Sequence, residues 1–587
     1  MKFVSSILSA TMAACVAVTA TATPVINEIM YRPGTTYPEN TELEFIEIHN
    51  PDSAAVDVSG WALTNGVDYT FPASTILPAG GFLVVASNPT TLASAGGFSG
   101  ALGPWESGDR LANSGETITL SQPDDDGGWT DVDEIDYADE GDWATRTRDS
   151  LGGWSWSTTT KTTGRSFERH NPNLVVDNGQ NWAPSAAVGG SPGAANSVLS
   201  TDVAPVITNV KHSPAVPTSS DPITISCRLF DESESSALTA VLYWRNATST
   251  SPGSFESTAM TGDGSGRFSA TLAAMADKQI VEFYVQSSDG SNTRTWPAPS
   301  SEGQNTNATF QVDDEVVVGT APVYRFVLTA AENNAFVTGN VESDRQYNFT
   351  LIASRGADTT IRYLSSMRIR GNSSRRHLIK PLRVHLPSDN KWDGVDTFII
   401  GTRGSAWQYL ALNMQRAAGL VAADVVPIEF RRQGVETTIS SGSTADYGRL
   451  VRIESFNGDY VDNHFPDAEE AEVYRKISVT GWSASSTTAP SSPDSTWAGW
   501  SKESGSGSND WSDVINFAST WQELAAPHFT GAENRHVHPD HLPAQPGTFC
   551  DSDGSVAPLA RQQHQSWKHQ FSHRLSHRDP RAVRVCL

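Results

Sequence analysis

The chain has 587 residues, with 66 acidic against 41 basic side chains and a formal net charge of −25. That balance argues against a general nucleic-acid binder, because phosphate contact needs a basic field. The length implies more than one domain, and four cysteines supply no disulfide framework: Cys15 sits in the leader, Cys227 alone in a strand, Cys550 and Cys586 near the end. Each domain must rest on its own core.

In chain order, residues 1–22 come first. Met1-Lys2-Phe3, an apolar stretch and the small-residue site Ala20-Thr21-Ala22 read as a secretory signal peptide cleaved after Ala22. Met12-Ala13-Ala14-Cys15 offers an alternative, a lipobox with Cys15 lipidated. Beyond Ala22 no apolar run is long enough to span a bilayer. The expectation is a protein secreted or held at the cell surface, with an extracellular protein or surface polymer as partner.

Residues 23–200 follow with period-two runs at Val25–Met30 and Glu42–Asn50, then short strands at Gly60–Leu63, Tyr69–Phe71 and Gly81–Val85. That is a β-sandwich rhythm. Ile26-Asn27-Glu28-Ile29, Phe45–Asn50, Val58–Trp61, Leu77–Gly80, Gly115–Ile118 and the closing Gly190–Asn196 resemble a lamin-tail domain. Glu28, Glu44 and Glu47 oppose an apolar row and are expected on the solvent face, with metal ligation the sharper alternative. Asp124-Asp125-Asp126-Gly127-Gly128 reads as a hairpin turn. Residues 201–315 form a second β unit resembling an immunoglobulin-like or fibronectin-type module, commonly a spacer. Trp244 and Tyr284 are expected in its core, and Asp263-Gly264-Ser265-Gly266 is a turn.

Residues 320–533 carry the richest motif. In Met367-Arg368-Ile369-Arg370 and Leu382-Arg383-Val384-His385-Leu386 apolar and basic residues alternate, so each strand points one row at a core and a basic row away from it. Between them Gly371-Asn372-Ser373-Ser374 offers N–H and O–H donors that suit a phosphate. The plainer reading is a solvated hairpin whose arginines pair with surface carboxylates. A helix follows, capped by Ser405, with Trp407, Leu410, Met414 and Ala417 on one face, expected as core, and ended by Gly419. Strands around a helix suggest an α+β lobe.

The Arg370-Gly371-Asn372-Ser373-Ser374 turn with its Lys380-Pro381 strand resembles the signature of the spore-coat-protein-H (CotH) kinase-like family. Pro322–Phe326, Val425–Arg432, Tyr447–Glu454 and Tyr474-Arg475-Lys476 resemble further strands of that family. The resemblance implies a secreted, atypical kinase-like fold that transfers phosphate from ATP to proteins with Mg2+. The nucleotide-binding candidates are then Arg368, Arg370, Asn372, Ser373, Ser374, Lys380 as the phosphate-facing cation and Glu454 as its partner.

After Trp482 a Ser/Thr/Gly/Pro-rich stretch to Ser508 reads as an insertion loop, and Ser512–Leu524 as a helix with Val514, Phe517 and Trp521. In residues 534–587 periodicity stops: seven of the chain's 14 histidines fall there, with seven basic against four acidic side chains. Two readings stand, a metal-chelating tail or out-of-frame translation of a second lobe. The family takes its catalytic and magnesium-binding aspartates from that lobe. Asp551 and Asp553 lack the surrounding strand and helix pattern, so no catalytic residue is assigned. The expected architecture is two immunoglobulin-like β-sandwiches, an α+β kinase-like N-terminal lobe and an irregular tail. The expected function is that of a CotH-related protein crippled in phosphoryl transfer; the alternative is an extracellular adhesion or scaffold protein without catalysis.

Overall fold

The computed structural model describes residues 23–34, 40–106, 109–174, 176–232, 237–356, 358–371, 373–402, 404–437, 450–465, 473–476, 496–497, 500–502, 511 and 584–585. Residues 1–22, which the sequence reads as a signal peptide, Asn372, the 512–524 segment and nearly all of the tail lie outside them.

The first unit is a sandwich of two antiparallel sheets. One runs β9-β8-β1-β2-β5, built from β1 (Val25–Met30), β2 (Phe45–His49), β5 (Phe82–Ala86), β8 (Phe167–Arg169) and β9 (Trp182–Pro184). The other runs β4-β3-β6-β7, from β3 (Ala62–Asn65), β4 (Tyr69–Thr70), β6 (Gly115–Pro123) and β7 (Trp129–Ala138). Between them Ile26, Ile46, Ile48, Leu63, Phe71, Ile118, Leu120, Ile135 and Phe167 form the core. The Asp124 turn joins β6 to β7, its carboxylate accepting from the Asp126 and Gly128 backbone N–H groups.

The second unit has the order β10-β11-β14-β13-β12-β15-β16: β10 (Val206–Ser213), β11 (Ile223–Phe230), β12 (Thr239–Asn246), β13 (Glu256–Gly262), β14 (Arg267–Leu272), β15 (Ile280–Ser288) and β16 (Thr293–Trp296), with β17 (Ala308–Gln311) also on β15. This is immunoglobulin-like sandwich connectivity. Trp244 packs against the core as expected. Tyr284 does not: Phe283 and Val285 take the core side of β15, so period two turns Tyr284 outward, stacked on Tyr243 at 4.7 Å.

The third unit closes on itself. Strands β18 (Val323–Val327), β19 (Tyr347–Arg355), β20 (Asp358–Ile369), β21 (Leu382–His385), β22 (Thr397–Gly401), β25 (Leu450–Glu454) and β23 (Val425–Arg432) follow one another, and β23 pairs back onto β18 in parallel. The short β24 (Val435–Glu436) hangs from β23. The described part of the expected α+β lobe is therefore a closed β-barrel with helices outside. Its interior is filled by Phe326, Phe349, Leu351, Met367, Ile369, Leu382, Val384, Phe398, Ile400, Ile428 and Phe430. Phe326 is fully buried, stacked on Phe349 at 4.2 Å and edge-on to Phe430 at 4.8 Å. Phe326→Ala should cost about 3–5 kcal/mol in a denaturant unfolding curve.

Three helices lie on the barrel: α1 (Ala330–Thr338), α2 (Ser405–Ala417) and α3 (Gly458–His464). Two expectations for α2 need correcting. Ser405 is its first residue, preceded by Gly404 in the left-handed conformation, and makes no cap. The Trp407, Leu410 and Met414 stripe faces outward, at 59%, 49% and 64% exposure. The barrel fills its own interior, so α2 needs only a narrow contact, through Leu412, with Val425, Val451 and Ile453. Within the expected insertion loop, Trp500–Lys502 pairs with Val473–Lys476, so part of it is ladder.

The units are fused, not strung on spacers. Tyr363 and Leu364 of β20 enter the core of the second unit, where the Tyr363 hydroxyl meets His212 Nδ1 at 2.6 Å. Arg146 of the first unit reaches the Leu364 carbonyl and Asn348 of the barrel. No helix among the described residues is long and apolar enough to cross a membrane.

Candidate functional site

In the β20–β21 hairpin Met367 stands opposite Val384, Arg368 opposite Arg383 and Ile369 opposite Leu382. The apolar row enters the barrel core. The basic row therefore sets two arginines directly opposite each other on the outer face, a repulsive pairing without a counter-ion. Asp344 supplies one: its carboxylate takes Arg368 at 3.0 Å and also Arg375. Partial burial works against its charge, yet the Arg375 hydrogen bond and the Arg368 charge hold its pKa below the ordinary range. Arg376 pairs with Glu342 at 2.8 Å. Among the described residues no hydrogen-bonding or ion-pair partner falls to the Arg383 side chain.

The turn itself depends on Gly371. Its φ is +96°, and an added Cβ would lie 2.0 Å from the Ser374 hydroxyl. The Arg370 backbone N–H donates to the Pro381 carbonyl. Asn372 and the side chain of Ser373 are outside the described residues.

Lys380 and Glu454 do not meet. Lys380 Nζ donates to the His377 carbonyl at 2.7 Å. Glu454 is buried and takes His464 Nε2 at 2.6 Å, the Asp424 backbone N–H at 3.0 Å and the Asn463 amide at 3.3 Å. The topology explains the separation. β22 stands between β21 and β25; Leu382 is level with Ile400, whereas Glu454 is level with Phe398. Lys380 and Glu454 are thus offset by roughly 13 Å along the strands and 10 Å across them, beyond the reach of the two side chains. The described carboxylates at the turn, Glu342 and Asp344, are both held by arginines, so the residues there do not fit a magnesium ion.

In the first unit the structure reverses the expectation of solvated carboxylates. Glu28, Glu44 and Glu47 are all buried: the 190–196 segment folds over Glu28 and Glu47, while Glu44 accepts the Leu111 N–H. Glu28 accepts from Ser166 and Ser191, Glu47 from Asn27 and the Gly193 N–H, and Glu168 from Ser191 and Ser197. Burial, then the charge on Glu28, pushes Glu47 up to about 8; burial pushes Glu28 up to about 7. The resembling Gly190–Asn196 motif is therefore a latch of donors closed over buried acids. An open depression of about 310 Å³ lies nearby, lined by Asp131, Asp133, Glu134, Asp177 and Arg169.

Sequence reading also missed the seam between the first unit and the barrel. His385 Nε2 donates to Glu140 at 2.6 Å, and the Asp142 N–H donates to Asp389 at 2.7 Å. Partners 245 residues apart leave no local signal.

These features define a mostly β, multidomain protein with a lamin-tail unit at its front. Residues 17–139 match the Lamin Tail Domain family. No curated protein matches the chain. Among solved structures, an uncharacterized protein of Listeria monocytogenes EGD-e is 11% identical, over 32% of this chain and 19% of that one, with a TM-score of 0.13. The cycloalternan-forming enzyme of Listeria monocytogenes, in complex with a pentasaccharide substrate, is 9% identical over 46% of this chain and 32% of that one, TM-score 0.14. Trypsin-activated alpha-2-macroglobulin of Escherichia coli is 13% identical over 60% of this chain and 30% of that one, TM-score 0.16. The chain spans a third or less of each of these three structures.

Proposed function

We propose that this chain is an exported, extracellular binding scaffold whose third unit is related to CotH-type kinases without performing phosphoryl transfer. The observation behind this reading is that Lys380 and Glu454 are each satisfied elsewhere, while Asp344 and Glu342 occupy the arginines a phosphate would use. Transfer depends on positioned cations and a carboxylate-held metal, and the described residues around this turn assemble neither. Fusion of the three units suits a scaffold, since it presents their surfaces in a constant relation. On the second unit Tyr243, Tyr284 and Phe255 cluster on the outer face with Arg245 over Phe255, a surface of the kind that meets an extracellular protein or polymer.

A second reading, weak nucleotide binding left from a kinase ancestor, is favoured by the facing pair Arg368 and Arg383. Calorimetric titration of ATP with Mg2+ into the full chain and into Lys380→Ala separates the two. The scaffold reading expects no detectable binding in either chain and no phosphate incorporation from labelled ATP. Binding abolished by Lys380→Ala, or robust autophosphorylation, would overturn it.

A further inference from the structure

We propose that Asp424, Glu454 and His464 form a binding site for a divalent transition-metal ion, for which Zn2+ is the natural probe. The three residues come from separate places: Asp424 just before β23, Glu454 at the end of β25 and His464 at the end of α3. One ligand atom from each lies within 4.8 Å of the others. A tetrahedral ion with bonds near 2.0–2.2 Å sets its ligand atoms roughly 3.3 Å apart, so the widest pair needs to close by at most about 1.5 Å while the His464–Glu454 pair, now at 2.6 Å, opens by about 0.7 Å.

The surroundings are arranged as around a ligand set. Glu454 is buried, and the Asn463 amide holds its Oε1, turning Oε2 toward His464 and the Asp424 backbone. The His464 ring is held by Tyr460, whose ring centroid lies 4.6 Å away. Outer partners of this kind fix the orientation of ligating groups. Arg416 pairs with Asp424 through Oδ1, leaving Oδ2 available. Two carboxylates and a neutral imidazole bring −2 to the dication, with Arg416 on Asp424 adding +1, and the mixed nitrogen and oxygen set suits zinc better than calcium or magnesium. On binding, the ion replaces the His464–Glu454 hydrogen bond, and the imidazole carries its proton on Nδ1. The Asp424 and His464 side chains are 47% and 19% exposed, which leaves a coordination position for water. The ion would tie α3 to the last barrel strand.

The test is zinc titration of the full metal-free chain, compared with His464→Ala and Asp424→Asn. The tail contains seven histidines, so total zinc is not the readout. The readout is the difference in stoichiometry between chains and the d–d absorption of bound Co2+. The expected result is one ion per chain fewer in His464→Ala, with its share of the Co2+ bands lost, and binding at this site about tenfold or more weaker in Asp424→Asn. Because Asp424 is half-exposed, the second variant keeps the fold, which its melting curve without metal checks. Unchanged stoichiometry, affinity and spectrum in both variants would sink the proposal.

Discussion

The first unit should lose stability as pH rises from 5 to 9, and Glu47→Gln should flatten that loss. Glu47 and Glu28 are buried together, with folded pKa values of about 8 and about 7 against an ordinary 4.5. A carboxyl whose folded pKa is raised holds its proton longer folded than unfolded. Its contribution is complete below the unfolded value and is lost as pH climbs through the folded one. For Glu47 the loss therefore runs from about pH 4.5 to about pH 8. At roughly 1.4 kcal/mol per pKa unit this approaches 5 kcal/mol. Glutamine cannot ionise, but it turns an amide N–H toward Asn27 or the Gly193 N–H, both donors, costing roughly 1–2 kcal/mol. The net expectation at pH 9 is a gain of about 3–4 kcal/mol over the parent chain, against a small loss at pH 5. Urea unfolding followed by tryptophan fluorescence at both pH values measures it. A parent chain with no slope, or a variant with the same slope, would refute the assignment.

Gly141→Ala should open the seam between the lamin-tail unit and the barrel. Gly141 has φ +62°, and a Cβ there would lie 1.9–2.1 Å from the Asp389 carboxylate. Asp389 is half-buried between the units and accepts the Asp142 N–H, so swinging away from the methyl group would break that bond. Burial, then the Asp142 charge, holds Asp389 well above the ordinary carboxylate range. Backbone strain of about 1–3 kcal/mol adds to the clash. The neighbouring Glu140–His385 pair should part with it. Burial works against charge on His385, but the Glu140 carboxylate holds its pKa above normal. In the variant that pKa should fall back towards the ordinary histidine value, and amide exchange at 387–391 should accelerate. Unchanged exchange together with an unchanged His385 titration would show that the seam tolerates the methyl group.

Much of the chain could be read locally. Period two in Met367–Ile369 and Leu382–Leu386 placed the barrel-facing row correctly, because alternation along a strand is a property of the backbone itself. The Asp124 turn was legible for the same reason: its hydrogen bonds span only a few residues. Alternation says which residues share a face, however, and not what covers that face. Glu28 and Glu47 shared a face as expected, yet a segment more than a hundred residues away folded over it. The Trp407 stripe is the converse, a row with the spacing of a core helix beside a barrel that had already filled its interior.

The candidate site divides along the same line. Its basic face and glycine turn belong to one hairpin, and sequence alone determined them, along with the β character of the chain and the lamin-tail motif at its front. Which carboxylate each cation meets was decided by the closure of the barrel. Closure put β22 between Lys380 and Glu454, gave Asp344 to Arg368, and brought Asp424 and His464 to Glu454. Strand order and register are settled by contacts between residues distant in the chain, and those contacts leave no period in the sequence that forms them.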